Sequence, residues 1–140
     1  MLPLSLSHYE LVGSTDEHLC LQVERQIYVY WLVGHFKREH LDRLTELVVG
    51  APGFRQPYVS IAFTEGLSGY DADLRTVITH PGGLLLRKAM ESIVVSDKPL
   101  ERMVVRTMSL AGRAAGNPGG RLAAASTFEE ALAMARATLA

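Results

Sequence analysis

The order of hydrophobic and polar residues near the start of the chain is typical of β-strands. Leu19, Leu21 and Val23 alternate with less apolar neighbours, and this period of two predicts a half-buried strand. The next run, residues 27–33, is apolar at every position and predicts a strand with apolar side chains on both faces. Such a strand should lie in the centre of a sheet, because both of its faces need cover.

Further along the chain the hydrophobic period changes to that of helices. Apolar residues recur at helical spacing between Arg38 and Val49, which predicts an amphipathic helix. Pro99 suits a first helical position, so a second helix is predicted from there to about Arg113. A last helix is predicted after Thr127, which forms a capping box with Glu130. The buried stripe predicted for the second of these helices is Leu100, Met103, Val104, Thr107, Leu110 and Ala111.

The remaining segments alternate between short strands and helical turns. Strands are predicted at residues 8–12, 59–63, 92–96 and 121–125, a turn at 13–16, a short helix at 71–79, further helical turns at 84–90 and a loop at 114–120. This alternation predicts an α/β fold with a mixed, mainly parallel sheet of four to six strands and about four helices.

Length and composition limit the function classes. We expect residues 1–140 to form one domain, with about the first seven residues disordered. A net charge of -1 gives no reason to expect nucleic acid as a partner, and no run approaches the roughly 20 apolar residues that cross a bilayer. Cys20 is the lone cysteine, which agrees with a reducing compartment and predicts a cytoplasmic protein.

The segment after residues 59–63 predicts a strand-to-helix junction. Gly66 and Gly69 indicate a turn, and Asp71 is placed to accept the free amide hydrogens of a following helix. Open α/β sheets bind ligands and partners at such junctions.

Three segments, in their order along the chain, resemble the STAS domain family in its SpoIIAA-like, anti-sigma factor antagonist branch. Residues 30–41 match that branch's strand, glycine and first helix, residues 59–75 match the junction, and residues 126–132 match the closing helix. The resemblance covers roughly residues 18–139 and implies a bacterial STAS-like domain that signals through a protein partner.

One departure from the family bears on its signalling mechanism. Signalling members begin the junction helix with Asp-Ser-Ser-Gly, and a partner kinase phosphorylates the first serine. Here the stretch begins Asp71-Ala72, and alanine has no hydroxyl to accept a phosphoryl group. Ser68 is the nearest hydroxyl, and it either satisfies the turn backbone or is itself modified.

The sequence shows little of the chemistry that enzymes need. His35 and His40 are five residues apart, which does not place them on one helix face as the four-residue metal-binding spacing does. His18 and Cys20 share a strand face, but two ligands do not make a metal site. We therefore predict a protein that is not an enzyme, with no catalytic residues, no metal and no cofactor.

Two surfaces remain open to alternative interpretations. Arg102, Arg106 and Arg113 form one stripe on the second helix, which is either a solvated face or a partner-binding surface. The second face of the central strand is buried by other helices or, if exposed, suits a symmetric homodimer. The residues of that face are Tyr28, Tyr30 and Leu32.

Two functions follow from these observations. The first is a non-enzymatic regulatory or scaffold module that binds a protein partner through the junction and the helix after it. Its predicted contact residues are Gly66, Leu67, Ser68, Gly69, Tyr70, Asp71, Asp73 and Arg75. The alternative is a small apolar-ligand or lipid binder of the Sec14-like kind, with Met90, Met103 and Met108 lining an adaptable pocket.

Overall fold

The computed structural model describes residues 2–3, 6–72, 91–114 and 121–140, with the backbone alone for residues 111–114 and 121. One sheet contains six strands: β1 (Glu10–Thr15), β2 (His18–Glu24), β3 (Ile27–Phe36), β4 (Val59–Tyr70), β5 (Glu91–Val95) and β6 (Arg121–Ala125). The described helices are α1 (Arg38–Val49), α2 (Pro99–Ala114) and α3 (Phe128–Leu139).

The six strands lie side by side in the order in which they occur along the chain. β1, β2 and β3 pair antiparallel, whereas β3, β4, β5 and β6 pair parallel. The predicted α/β fold with a mixed, mainly parallel sheet is therefore confirmed. The described residues form three helices, against the four or so that were expected.

β3 lies inside the sheet and is buried on both faces, as its sequence predicted. On one face Val29 is 0% exposed and belongs to a cluster with Ile61 of β4 and with Ala131 and Ala135 of α3. On the other face the side chains of β3 belong to a second cluster together with Leu44 and Val48 of α1. The helices on opposite sides of the sheet thus supply the cover that an all-apolar strand requires.

The beginning of the chain differs from the expectation in two ways. Leu6 lies in the segment expected to be disordered, yet it is fully buried in the cluster beneath α3. β1 begins at Glu10 and continues through Thr15, so the turn predicted at residues 13–16 begins only at Asp16, whose φ is 50°. Pairing with β2 accounts for the longer strand, because Ser14 and Thr15 face Leu19 and His18.

The ends of α1 and α3 are set by local sequence. α1 has the predicted bounds, and the backbone N–H of Gly50 donates to the carbonyl of Glu46 at its C-terminal end. At the start of α3 the Thr127 hydroxyl accepts a hydrogen bond from the backbone N–H of Glu130, at 3.1 Å. The Glu130 carboxylate accepts from the N–H and hydroxyl of Ser126, which completes the predicted capping box one residue earlier than expected.

The buried stripe predicted for α2 is wrong. Leu100, Met103 and Leu110 are 67%, 55% and 65% exposed, whereas Val105 and Met108 are half-buried. α2 contacts β6 and carries apolar residues on two of its faces, so spacing alone did not identify the inward one.

Several predicted segments lie outside the described residues. These are most of the helix predicted at 71–79, all of the helical turns predicted at 84–90 and most of the loop predicted at 114–120.

Candidate functional site

The candidate site lies where the parallel strands β3 and β4 end beside the first turn of α1. We call it the strand-end site and define it by residues 66–71 together with His35 and Arg38. Because β3 and β4 run parallel, their C-terminal residues lie at the same edge of the sheet. This is the edge that the sequence predicted for partner binding.

β4 continues through the segment that was predicted as a turn, so that prediction is wrong. Residues 66–70 pair in parallel with the end of β3, with Gly69 opposite His35. β5 ends at Val95, opposite Phe63 of β4. In the described part of the chain, β3 and β4 therefore extend beyond β5 as a two-stranded ribbon.

Gly66 permits a close approach between the two strands of this ribbon. A Cβ atom on Gly66 would lie 2.9 Å from the carbonyl oxygen of Leu32, which is too close for a packed side chain. The pairing register shifts at the same place, between Trp31 and Val33 of β3. Gly66 therefore allows the two backbones to pack closely. In a sequence, such a glycine cannot be told from a turn glycine.

The carboxylate of Asp71 connects β3, the end of β4 and α1. Its Oδ1 lies 2.7 Å from Nε2 of His35, and its Oδ2 accepts a hydrogen bond of 3.3 Å from the backbone N–H of Arg38. Arg38 is the first residue of α1, where N–H groups have no partner within the helix. Among the contacts that the structure describes, Asp71 therefore caps α1 and not the helix predicted to follow it.

The same contacts set the charge state of Asp71. The hydrogen bond from His35 lowers the pKa of Asp71 below its ordinary value; desolvation opposes this shift, and the N–H of Arg38 adds to it. The His35 and Asp71 side chains are 48% and 37% exposed, so water screens their attraction. The pair orders the surface of the site more than it stabilises the fold.

The predicted contact residues are in part brought together. Ser68 and Tyr70 are exposed on the ribbon, and Leu67 and Gly69 are half-buried. Asp73 and Arg75 lie outside the described residues. His35 and Arg38 were missed by the sequence analysis, although their positions at the end of a strand and the start of its helix were a usable signal.

The arginine stripe is partly engaged within the chain. Arg102 donates from Nη1 to the carbonyl of Ser96 at 2.8 Å, and the side chain of Arg113 lies outside the described residues. The pKa of Glu130 is lowered, first by the hydrogen bonds from Ser126 and further by the charges of Arg102 and Arg106. Arg106 is exposed, and a partner-binding role for the stripe remains a prediction.

The second face of β3 is buried within the chain. Tyr28, Tyr30 and Leu32 are 0%, 2% and 3% exposed and belong to the cluster that includes Leu44 of α1. The alternative in which these side chains are exposed and form a homodimer face is therefore wrong, because α1 already covers them.

A cavity of about 440 Å³ adjoins the strand-end site. Leu67 and Ser68 of the ribbon contribute to its wall, and Met108 of α2 lines it as predicted. Met103 is 55% exposed and is not among the lining residues, and Met90 lies outside the described residues. The apolar lining residues include Leu32, Phe36, Leu41, Ala62, Val94, Val104, Val105 and Leu122.

The histidines predicted not to form a metal site lie on different elements. His35 lies in β3 and His40 in α1, so they do not share a helix as the spacing argument had assumed. Within residues 2–3, 6–72, 91–114 and 121–140, no three His, Cys, Asp or Glu side chains come together to hold a metal ion. None of the helices described there is long and apolar enough to cross a bilayer.

Comparison with known proteins identifies the fold. No protein-family model and no curated protein sequence matches the chain. The structure is similar to an uncharacterised protein from the DUF3478 family of Shewanella loihica PV-4 that has a SpoIIAA-like fold. The TM-score is 0.56 and the identity 17%, over 88% of this chain and 98% of the Shewanella chain. The chain therefore has a SpoIIAA-like, STAS-like fold, as its sequence predicted.

Two weaker similarities are to SpoIIAA itself. The unphosphorylated anti-sigma factor antagonist gives a TM-score of 0.45 and 18% identity, over 85% of this chain and 97% of that one. The phosphorylated form of the Bacillus cell fate determinant SpoIIAA gives a TM-score of 0.47 and 18% identity, over 84% of this chain and 97% of that one.

The contact between His35 and Asp71 predicts a change in titration. Because the pKa of Asp71 is lowered, the contribution of this contact is present above about pH 3.8 and is lost as the pH falls below it. In His35→Ala, the Asp71 carboxyl should titrate closer to its ordinary value, as followed by carboxyl ¹³C NMR. His8→Ala, which removes an exposed histidine elsewhere, should leave the titration unchanged. An unaltered Asp71 midpoint in His35→Ala would contradict the assignment.

Proposed function

We propose that the chain is a non-enzymatic regulatory or scaffold module of the bacterial cytoplasm that binds a protein partner at the strand-end site. The observation that carries this proposal is the ribbon of β3 and β4. Residues 66–69 pair with β3 on one side and with no described strand on the other. An extended segment with an open edge can take up a strand of another protein through its backbone groups.

The chemistry of the site supports recognition of a partner. Ser68 is exposed on the ribbon beside the cavity, and the neighbouring His35 and Asp71 offer hydrogen-bonding groups of fixed orientation. The contacts of Asp71 with His35 and Arg38 hold the ribbon and α1 in a defined relation before any partner binds. A site ordered in advance loses less conformational entropy on binding.

The proposal does not include the phosphoserine switch of the family that the sequence resembles. Ala72 occupies the position of the phosphorylated serine and has no hydroxyl. Partner binding would then be controlled by something other than phosphorylation at this position. Ser68 is an exposed position at which modification would place charge on the ribbon itself.

A change at Ser68 tests the proposal most cleanly. Asp71 contacts His35, and a Cβ atom on Gly69 would lie 3.4 Å from Nδ1 of the same ring, so substitutions at either position would also disturb the site. Ser68→Arg places a bulky cation on the exposed strand and should weaken partner binding at least about tenfold. Ser14→Arg, at an exposed position of β1, is the matched control.

The measurement is affinity capture from lysate of the native host with the two variants and the unaltered protein, each first shown by circular dichroism to be folded. A protein captured by the unaltered chain and by Ser14→Arg but lost with Ser68→Arg supports the proposal. Equal capture by all three would exclude the ribbon as the binding surface.

The cavity supports a second candidate, the binding of a small apolar ligand or lipid. Its walls are mainly aliphatic and aromatic, and its volume of about 440 Å³ is in the range of small-molecule sites. The Ser60 hydroxyl donates to that of Ser92 at 3.2 Å. The other polar lining residues are Thr64, Ser68, Lys98 and Glu101. These features favour a mainly apolar ligand with few polar groups.

Native mass spectrometry of protein purified from the host tests this second candidate. The expected spectrum contains the polypeptide with a bound small molecule, and Ala62→Phe, which fills the cavity, should abolish the added mass. Ala133→Phe, at an exposed position of α3, should retain it. Bare polypeptide alone in all three samples would contradict ligand carriage.

A further inference from the structure

Two buried histidines hold the start of α1 against β2 and β3. His18 is the first residue of β2, His40 lies in the first turn of α1, and their side chains are 1% and 4% exposed. Nε2 of His18 lies 3.0 Å from Nδ1 of His40. We call this pair and its hydrogen-bond partners, the N–H groups of Val33 and Lys37 and the carboxylate of Asp16, the histidine relay.

The backbone fixes the position of each proton in the relay. The N–H of Val33 donates to Nδ1 of His18 at 3.1 Å, so that nitrogen carries no proton and Nε2 does. The N–H of Lys37 donates to Nδ1 of His40 at 3.0 Å, so His40 is likewise protonated on Nε2. His18 Nε2–H then donates to His40 Nδ1, whose single lone pair it shares with the N–H of Lys37, and His40 Nε2–H donates to Asp16 at 2.5 Å.

The N–H groups of Val33 and Lys37 disfavour an additional proton on the Nδ1 atoms of the relay. A second proton on His18 would sit on Nδ1 and face the N–H of Val33. A second proton on His40 would face both the N–H of Lys37 and the Nε2–H of His18. In either case two donors meet across about 3 Å in a buried site, where an unsatisfied polar group is costly. Both imidazoles must therefore be neutral for these contacts to persist.

We propose that the histidine relay is a pH-sensitive latch, in which uptake of a proton by His18 releases the first turn of α1 and the β1–β2 turn from β3. Four hydrogen bonds break: those donated by the backbone N–H groups of Val33 and Lys37, the one between the two imidazoles, and the one from His40 to Asp16. The cluster beneath α3 stays packed, because it lies on the face of the sheet opposite α1.

The groups around the relay shift the pKa of His18 in opposite directions. From the β1–β2 turn, Asp16 and Glu17 favour a proton on His18. From α1, His40 disfavours it, while the Lys37 ammonium is turned towards Glu39, at 3.9 Å. From β3, the backbone at His35 favours protonation. The Asp16 carboxylate is 73% exposed, so its attraction for a proton on the relay is screened by water.

Burial has the largest effect and the adjacent His40 the next largest, and together they lower the pKa of His18 from its ordinary value of 6.5. The unfolded or opened chain therefore takes up a proton near pH 6.5, whereas the closed relay takes it up only at lower pH. The stabilisation by the relay is complete above pH 6.5 and is lost as the pH falls below that value. Mild acid is thus the condition that opens the latch.

The first test is ¹⁵N NMR of the histidine rings in the unaltered protein. At about pH 7.5 both His18 and His40 should be neutral Nε2–H tautomers. An Nδ1–H tautomer or an imidazolium for either residue at that pH would overturn the proposal. This test needs no variant and so does not depend on how well one folds.

The second test is amide hydrogen exchange, expressed as protection relative to the intrinsic rate at each pH. Protection of the Val33 and Lys37 amides should fall by up to about tenfold per pH unit between about pH 6.5 and 5, as expected for opening coupled to one proton. The Ser96 amide, which donates to the carbonyl of Ala125 and takes no part in the relay, should keep its protection. Constant protection of Val33 and Lys37 would overturn the proposal, and so would an equal loss at Ser96.

Two variants assign the response to the relay. In His18→Gln, which can still accept from Val33 and donate to His40 but does not titrate, the Val33 amide should lose its pH response. In His8→Gln, which alters an exposed histidine, the response should persist. An undiminished Val33 response in His18→Gln would assign the latch to another group and contradict the proposal.

Discussion

The burial of β3 on both faces is the constraint on which the rest of the structure depends. Its apolar residues must be covered twice, and α3 with the buried N-terminal Leu6 covers one face while α1 covers the other. The antiparallel pair β1–β2 on one side of β3 and the parallel strands on the other complete its backbone hydrogen bonding. The contact between His35 and Asp71 and the histidine relay both lie towards the C-terminal end of β3.

At that end, α1 is fixed by polar contacts on two sides. Asp71 holds its first residue from the end of β4, and His40 in its first turn reaches back to His18 and Asp16. Free N–H groups at a helix start need partners, and here strands and turns remote in sequence supply them. The proposed partner site and the proposed latch therefore meet at one short helical turn, so a pH-driven change there would alter the surface that a partner contacts.

Much of the fold followed from local sequence, because the signals were local. The bounds of α1 and the cap of α3 needed only hydrophobic spacing and side chains a few residues apart. The ribbon at residues 66–70 was missed because its glycines and serine resemble a turn, and pairing with β3 overrides that preference. The contacts between His18 and His40 and between His35 and Asp71 span 22 and 36 residues, and only the assembled sheet brings them together.

The stability of a paired set of leucine truncations tests the central claim most directly. Leu44 of α1 is 0% exposed against the second face of β3, whereas Leu11 of β1 is 57% exposed. In chemical denaturation, Leu44→Ala should lower the free energy of unfolding by about 2–5 kcal/mol, and Leu11→Ala by less than about 0.5 kcal/mol. Equal, small losses for the two variants would show that α1 does not bury β3 and would contradict this account of the fold.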